Sequence, residues 1–571
     1  MKKLAYDPRK YYLHADLTAF LKDAAKRFPK LARLRSLGKS HEGRDLWLME
    51  LTNTDTGKAE EKPGFWIDGN THATEVAGSA VCLYTIHHLL TRYGSEEAAT
   101  RLLDERVIYV LPRVSPDGAE HVLTTGQYIR SSTRMWPVEE KKDGLHPQDV
   151  DGDGDILQMR VEDPLGEWKV SRKDSRLMVK RAPDDWQGQL AGRKGPFYRI
   201  YREGKFENFD GFHQEVAPSP YGLDLNRQFP YDWTPEHNQS GAGPFPLSEP
   251  ETRAVVAFMT ARKNITGVMT YHTFGGVLLR PYSNLPDTKI PNLDLAVFKA
   301  LGKRAEEIVG VPCKSVFHDF RYDQNEVIHG VFDDWCYDHL GVHAFTLELW
   351  SVAKKAGVKV TDFIAFYRDR SEKDDLKILR WQDRTLGGKG FVRWRPFKHP
   401  QLGKVEIGGW RMLFTWSNPP PKLLPEECRR AMRFTFAHAS AGPRLVVRRF
   451  ASEALGSGLA KLTLELANEG YLPTNVSQIA LDHKSVRPVE VELDLPKGMK
   501  LLIGKKKTEI DQLAGTASTT CEDWANAAFF AGTSKDQERR LEWLVRGRGR
   551  IDVVARSERA GVVRAEVTAK G

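Results

Sequence analysis

Cysteine is scarce and scattered: Cys82, Cys313, Cys336, Cys428 and Cys521 are the five in 571 residues, an odd number with no closely spaced pair. That excludes a disulfide-stapled scaffold and a cysteine-based zinc module. Long apolar runs are missing too, since no stretch approaches the roughly 18 apolar residues of a spanning helix. The lysines of the opening MKKLAYDPRKYYLHADL are not followed by the apolar core of a secretory leader. A cytoplasmic protein with no membrane partner is expected, or a secreted one if a leader is missing from this sequence. No segment repeats with a period of about 20–50 residues, which excludes solenoids and propellers. A strong charge of one sign is also lacking: 85 Lys plus Arg against 76 Asp plus Glu leaves +9, too mild to demand an acidic partner. The basic runs KKK at 505–507 and RGRGR at 546–550 have no interleaved aromatics. They read as solvated turns, and no nucleic-acid partner is expected.

What is present is a chain of ordinary globular composition, 40% apolar and 28% charged, long enough for more than one domain. Helical spacing over 17–34 leads into an alternating hairpin. GFWIDG is a short strand, and 74–93 carries one apolar helical stripe. Strands follow at 107–114, 267–271 and 343–349, with a helix at 295–309 and another, through Phe258, opened by a Ser248/Glu251 capping box. This alternation predicts an α/β fold with a mixed, largely parallel sheet flanked by helices. The polar stretch at about 136–220 is too long for a loop and reads as an insertion. A β-rich extension follows at about 376–440, with a short helix near 428–436. From 441 to 571 nearly everything alternates like strands, which predicts a separate β-sandwich after a domain spanning 1–440.

Of the 17 histidines only His72 is followed three residues later by a glutamate, Glu75. Both stand where a strand turns into a helix, the place where open α/β sheets bind ligands. His72 and Glu75 are types that zinc accepts, although a surface turn shows the same spacing by chance. His272 ends the strand GVMTY in the same manner, with small residues beside it. Glu348 lies near the end of FTLEL among apolar neighbours, where desolvation raises a carboxyl toward a useful general base; a salt-bridged core glutamate would look alike.

The order H-x-x-E, PDG, Arg, DLNRQFP, strand-end His and F-T-x-E-L resembles the zinc metallocarboxypeptidases of the carboxypeptidase A family over about residues 7–375. The resemblance implies one Zn2+ held by His72, Glu75 and His272, with Glu348 as the base that takes a proton from attacking water. It implies Arg130 as the oxyanion arginine, with Arg134 as the fallback. It also implies that Asn226 and Arg227 grip the free C-terminal carboxylate of a peptide substrate, a task that suits a planar guanidinium. Counting back from Trp335 puts Asp333 at the bottom of the specificity pocket, which implies C-terminal Lys or Arg. The same count puts Glu326 where the family has a mobile substrate-binding tyrosine, and Tyr322 stands four residues earlier. Thr74 stands where many members carry a substrate-touching arginine.

The expected activity is therefore a zinc-dependent metallocarboxypeptidase. The alternatives are a zinc amidase on cell-wall peptides or acylated amino acids, and a non-catalytic binding protein on a peptidase frame. Within the insertion, Asp149, Asp151, Asp153 and Asp155 alternate as in a Ca2+ loop, but the twelfth position is Arg160. A tight Asp-Gly turn without calcium is the favoured reading.

Overall fold

The computed structural model describes residues 4–137, 140–192, 195–212, 214–321, 323, 325–519 and 537–570. An eight-stranded sheet runs in the order Ala32–Lys39, Asp45–Leu51, Val107–Leu111, Gly64–Gly69, Ile265–Thr273, His343–Leu349, Val277–Arg280 and Cys313–Ser315. Its centre is parallel: Gly64–Gly69 pairs with Val107–Leu111 and Ile265–Thr273, and the latter pairs with His343–Leu349. Gly64–Gly69 and Ile265–Thr273 are buried along their whole lengths, as expected of strands covered on both faces. Helices Val76–Arg92, Asn292–Val309 and Leu424–Ser440 contribute to that cover. The mixed, largely parallel sheet expected from the sequence is present.

Three local expectations change. The first helix spans His14–Arg27 and gives way to the strand Ala32–Lys39 instead of running to Leu34. Pro29 accounts for this, because it disfavours helical backbone at Phe28. The Ser248/Glu251 capping box does not form. The helix starts at Pro250, a favoured first position, Glu249 precedes it, and Glu251 accepts a hydrogen bond from His41 N at 3.1 Å. The short helix expected near 428–436 extends over Leu424–Ser440, with Cys428, Ala431, Met432, Thr435 and Ala439 buried at helical spacing.

The insertion and the extension, separate in the sequence, share one six-stranded sheet. The hairpin Phe391–His399/Gly403–Trp410 pairs onto Gln158–Glu162, which pairs with Tyr198–Arg202. Glu406 stands opposite Arg160, and their side chains meet at 2.8 Å.

The C-terminal region consists of two four-stranded sheets, each pairing its strands antiparallel, around a common apolar core that includes Leu462, Leu464, Val491, Trp543 and Val553. It is fastened to the α/β body. The buried Arg559 guanidinium donates to Leu340 O at 2.5 Å, Gly341 O at 2.9 Å and Asn475 O at 2.7 Å. The buried Asp294 carboxylate accepts from Gln478 N at 2.7 Å and Ile479 N at 3.1 Å. No helix among the described residues is long and apolar enough to cross a membrane.

Candidate metal centre

The strand Gly64–Gly69 ends at Asn70, whose φ of 60° turns the chain sharply. The Asn70 amide donates to His72 O at 2.7 Å and fixes that turn. Two glycines then let the next helix approach. A Cβ on Gly69 would stand 2.6 Å from the Gly78 carbonyl carbon, and one on Gly78 would stand 2.7 Å from Tyr271 O. The helix start is therefore pressed against two neighbouring strand ends, and Glu75 meets His272 of the adjacent strand.

His72 Nδ1 lies 2.9 Å from Glu75 Oε1 and 3.1 Å from His272 Nδ1, and His272 Nδ1 lies 3.0 Å from Glu75 Oε2. All three residues are buried, and Thr273 N donates to Glu75 Oε2 at 3.1 Å. Donors about 2.1 Å from a central zinc in a tetrahedral arrangement stand roughly 3.4 Å apart, so spacing and donor chemistry both fit that ion. Burial alone would raise the Glu75 carboxyl, but His72 and His272 outweigh it and hold the group well below the usual carboxylate range.

Glu348 stands opposite His272 in the parallel register. Its Oε2 is buried without a hydrogen-bond partner among the described residues. Burial, and then the charge of Glu75, push its carboxyl well above the ordinary value. A proton-hungry carboxyl thus stands beside His272 in the sheet, within electrostatic reach of Glu75 and Arg130.

Asp224 is the residue that the sequence reading missed. Its Oδ1 meets His72 Nε2 at 3.1 Å and its Oδ2 accepts from Arg130 Nε at 2.7 Å. Burial works to raise it, but Arg130, Arg227 and His72 together hold it well below the usual range. The signal available was an acid two residues before Asn226 in DLNRQFP, but only the amide and the guanidinium were read there. Arg130 is brought to the centre, with its NH1 3.9 Å from Glu75 Oε1. The fallback Arg134 is not: its Nε donates to the buried Glu249 at 2.9 Å.

Asn226 and Arg227 lie in a short turn, Leu225–Arg227, capped by the Asp224 side chain. Asn226 Oδ1 accepts from Phe332 N at 2.9 Å, and Arg227 NH1 lies 3.9 Å from Asp224 Oδ2. Phe332 opens the helix that carries Asp333. Asp333 is buried, accepts from Thr346 Oγ1 at 3.1 Å and is pushed up to about 6 by burial, with Arg227 working to lower it. Tyr322 lies outside the described residues, and Glu326 is exposed.

The acidic run of the insertion is tied up internally. Asp149 accepts from Gly152 N at 2.7 Å and Gly154 N at 2.9 Å. Arg395 binds Asp151 at 2.5 Å and also Asp153, while Arg411 binds Asp155 at 2.6 Å. Asp149 and Asp151 come together with Glu203 and not with Asp153. Both Glu203 oxygens already accept backbone N–H groups, from Val150 and Leu157.

A family model described as zinc carboxypeptidase matches residues 17–365, and one described as a domain of unknown function (DUF8731) matches 444–568. Carboxypeptidase A6 of Mus musculus is 24% identical over 357 residues, which cover 60% of this chain and 61% of that protein. A zinc carboxypeptidase of Saccharothrix mutabilis subsp. capreolus is 32% identical over 362 residues, which cover 62% of this chain and 65% of that one. This chain thus spans less than two thirds of either relative. Among solved structures, that of thrombin activatable fibrinolysis inhibitor aligns over 76% of this chain and 74% of its own, at 18% identity and a TM-score of 0.43.

Proposed function

Because the chain belongs to the zinc carboxypeptidase family, we propose that it hydrolyses the C-terminal residue from peptides and prefers Lys or Arg there. The observation that carries this reading is the convergence of His72, Glu75 and His272 beside the unpartnered Glu348 oxygen. His72, Glu75 and His272 would hold the zinc ion, which when bound polarises the scissile carbonyl and makes water easier to deprotonate.

The remaining work falls to the chain's own side chains. Glu348 Oε2 accepts the proton of the attacking water and returns it to the leaving amine; its high proton affinity suits both steps. Arg130, held by Asp224, presents its guanidinium to the oxyanion of the tetrahedral intermediate, a contact worth on the order of 3 kcal/mol. Arg227 and Asn226 receive the terminal carboxylate, which confines hydrolysis to the chain end. Asp333, beneath Arg227 and Thr346, offers the negative charge that a lysine or arginine side chain requires.

The test is zinc analysis of the purified protein together with an assay of N-blocked dipeptides ending in Lys, Arg, Leu or Phe, with and without chelator. Chelator-sensitive cleavage that is lost in Glu348→Gln, with zinc retained, is expected. Hydrolysis that survives in Glu348→Gln would reject the assigned base. Bound zinc with no cleavage of any peptide would reject the carboxypeptidase reading.

A further inference from the structure

A cavity of about 270 Å³ begins at Thr74, between the ligands His72 and Glu75 in sequence, and continues along Tyr128, Arg202, Arg411 and Met412. Thr74 stands where many members of the family carry an arginine. The cavity is walled in part by the insertion and by the residues that follow the hairpin completing its sheet. Arg202 ends the insertion strand Tyr198–Arg202. Arg411 and Met412 follow the hairpin that completes the same sheet, beyond residue 365 where the match to the zinc carboxypeptidase model ends.

Two arginines and two aspartates line this cavity, and they differ in how they are partnered. Arg411 is neutralised by Asp155 at 2.6 Å and also donates to Lys389 O at 2.9 Å. Asp149 is satisfied by the backbone N–H groups of Gly152 and Gly154. Arg202 differs: among the described residues its side chain forms no ion pair and no hydrogen bond, and its guanidinium lies 5.8 Å from the centre of the Tyr128 ring. Burial pushes its guanidinium down from the ordinary value, with nothing but Tyr128 acting the other way. Arg202 is partly exposed, and a guanidinium on a cavity wall without a carboxylate partner can hold an incoming carboxylate through two parallel hydrogen bonds.

We propose that this cavity is a substrate subsite in which Arg202 binds an acidic side chain of the peptide, upstream of the scissile bond. The assignment rests on the carboxypeptidase reading. Asn226, Arg227 and Asp333 are assigned to the last residue and none of them lines this cavity, whereas Thr74, between His72 and Glu75, does, so the part of a bound peptide that this cavity would meet is the part upstream of the scissile bond. Met412 and the Tyr128 ring, both partly exposed, supply apolar sides for the methylenes of a glutamate.

The test uses the full chain and peptides ending in Lys, in which one upstream residue at a time is Glu, Gln or Lys. At one position Glu should be cleaved with a kcat/KM about tenfold above Gln, and Lys should fall below Gln, as a charge-assisted contact requires. The ratio of Glu to Gln should collapse toward one in Arg202→Gln and largely persist in Arg202→Lys. Cleavage of all peptides by the unmodified protein with no discrimination at any position would overturn the subsite and leave the carboxypeptidase reading intact. Binding of dye-labelled peptides, followed by fluorescence anisotropy, separates the opposite failure. Glu-dependent binding without cleavage would uphold the subsite and overturn the hydrolytic reading. Because the first comparison uses the unmodified protein, a variant that fails to fold does not shelter the proposal.

Discussion

Replacing Asp224 by asparagine keeps the shape of the residue and removes its charge, which makes it the sharpest probe of how the centre is held. The carboxylate serves two side-chain donors at once, His72 Nε2 at 3.1 Å and Arg130 Nε at 2.7 Å, and Asn226 N at 2.8 Å as well. An amide has a single oxygen. If it stays on Arg130, His72 Nε2 faces an NH2 group; if it turns to His72, Arg130 loses its anchor. Losing the outer partner of a metal-binding histidine typically costs 10–100-fold in metal affinity, about 1.4–2.7 kcal/mol. Loosening Arg130 adds a loss in kcat, up to the roughly 3 kcal/mol of an oxyanion donor, and the two losses need not add because one side chain carries both. The assay is competition with a fluorescent zinc chelator for affinity, followed by kcat/KM at saturating zinc. Expected are a zinc dissociation constant raised at least tenfold and a kcat that stays depressed when zinc is restored. An unchanged dissociation constant together with an unchanged kcat would refute the argument that Asp224 orients either group. Asp224→Ala is the poorer probe, since it also leaves the buried Arg227 without its carboxylate and damages folding.

Asp333→Ala should lower kcat/KM for C-terminal Lys and Arg at least tenfold more than for Leu and Phe, measured on the same dipeptide panel; an equal loss across all four rejects the pocket assignment. With Asp333 pushed up to about 6, the preference of the unmodified protein for Lys over Leu should fade as pH drops through about 6, while Asp333→Ala should show no such fading. His438 predicts an acid limb in stability. It is fully buried between Phe65 and Phe345, neither ring nitrogen has a partner among the described residues, and burial lowers it to about 3. Its folded value is depressed below the unfolded value of about 6.5, so the unfolded chain binds the extra proton and stability is lost as pH falls through that window. His438 alone contributes about 2 kcal/mol to the loss from pH 7 to pH 5; urea unfolding at the two pH values measures that share as the amount by which the loss shrinks in His438→Leu.

The residues that converge at the candidate centre were legible because each stands at a strand end or in a fixed motif. His72, Glu75, His272 and Glu348 all follow or close a short apolar run, and the parallel sheet converts that common position into a common place. Asp224 escaped for the opposite reason: its work is done through His72 and Arg130, on elements far away in sequence, and a lone acid in a loop carries no period. The same blindness to long separations split the insertion from the hairpin Phe391–His399/Gly403–Trp410, since the pairing of Glu406 with Arg160 spans 246 residues and neither strand alone names its partner. It also hid the fastening of the C-terminal sheets, because Arg559 binds carbonyl oxygens, acceptors that every residue possesses and no composition reveals. These hidden contacts converge on the ground between function and frame. Arg559 holds Leu340 and Gly341, in the turn that joins the helix of Asp333 to the strand of Glu348. A region that sequence alone assigned to a separate module therefore supports, through one buried guanidinium, the link between the residue offered for selectivity and the residue offered as base.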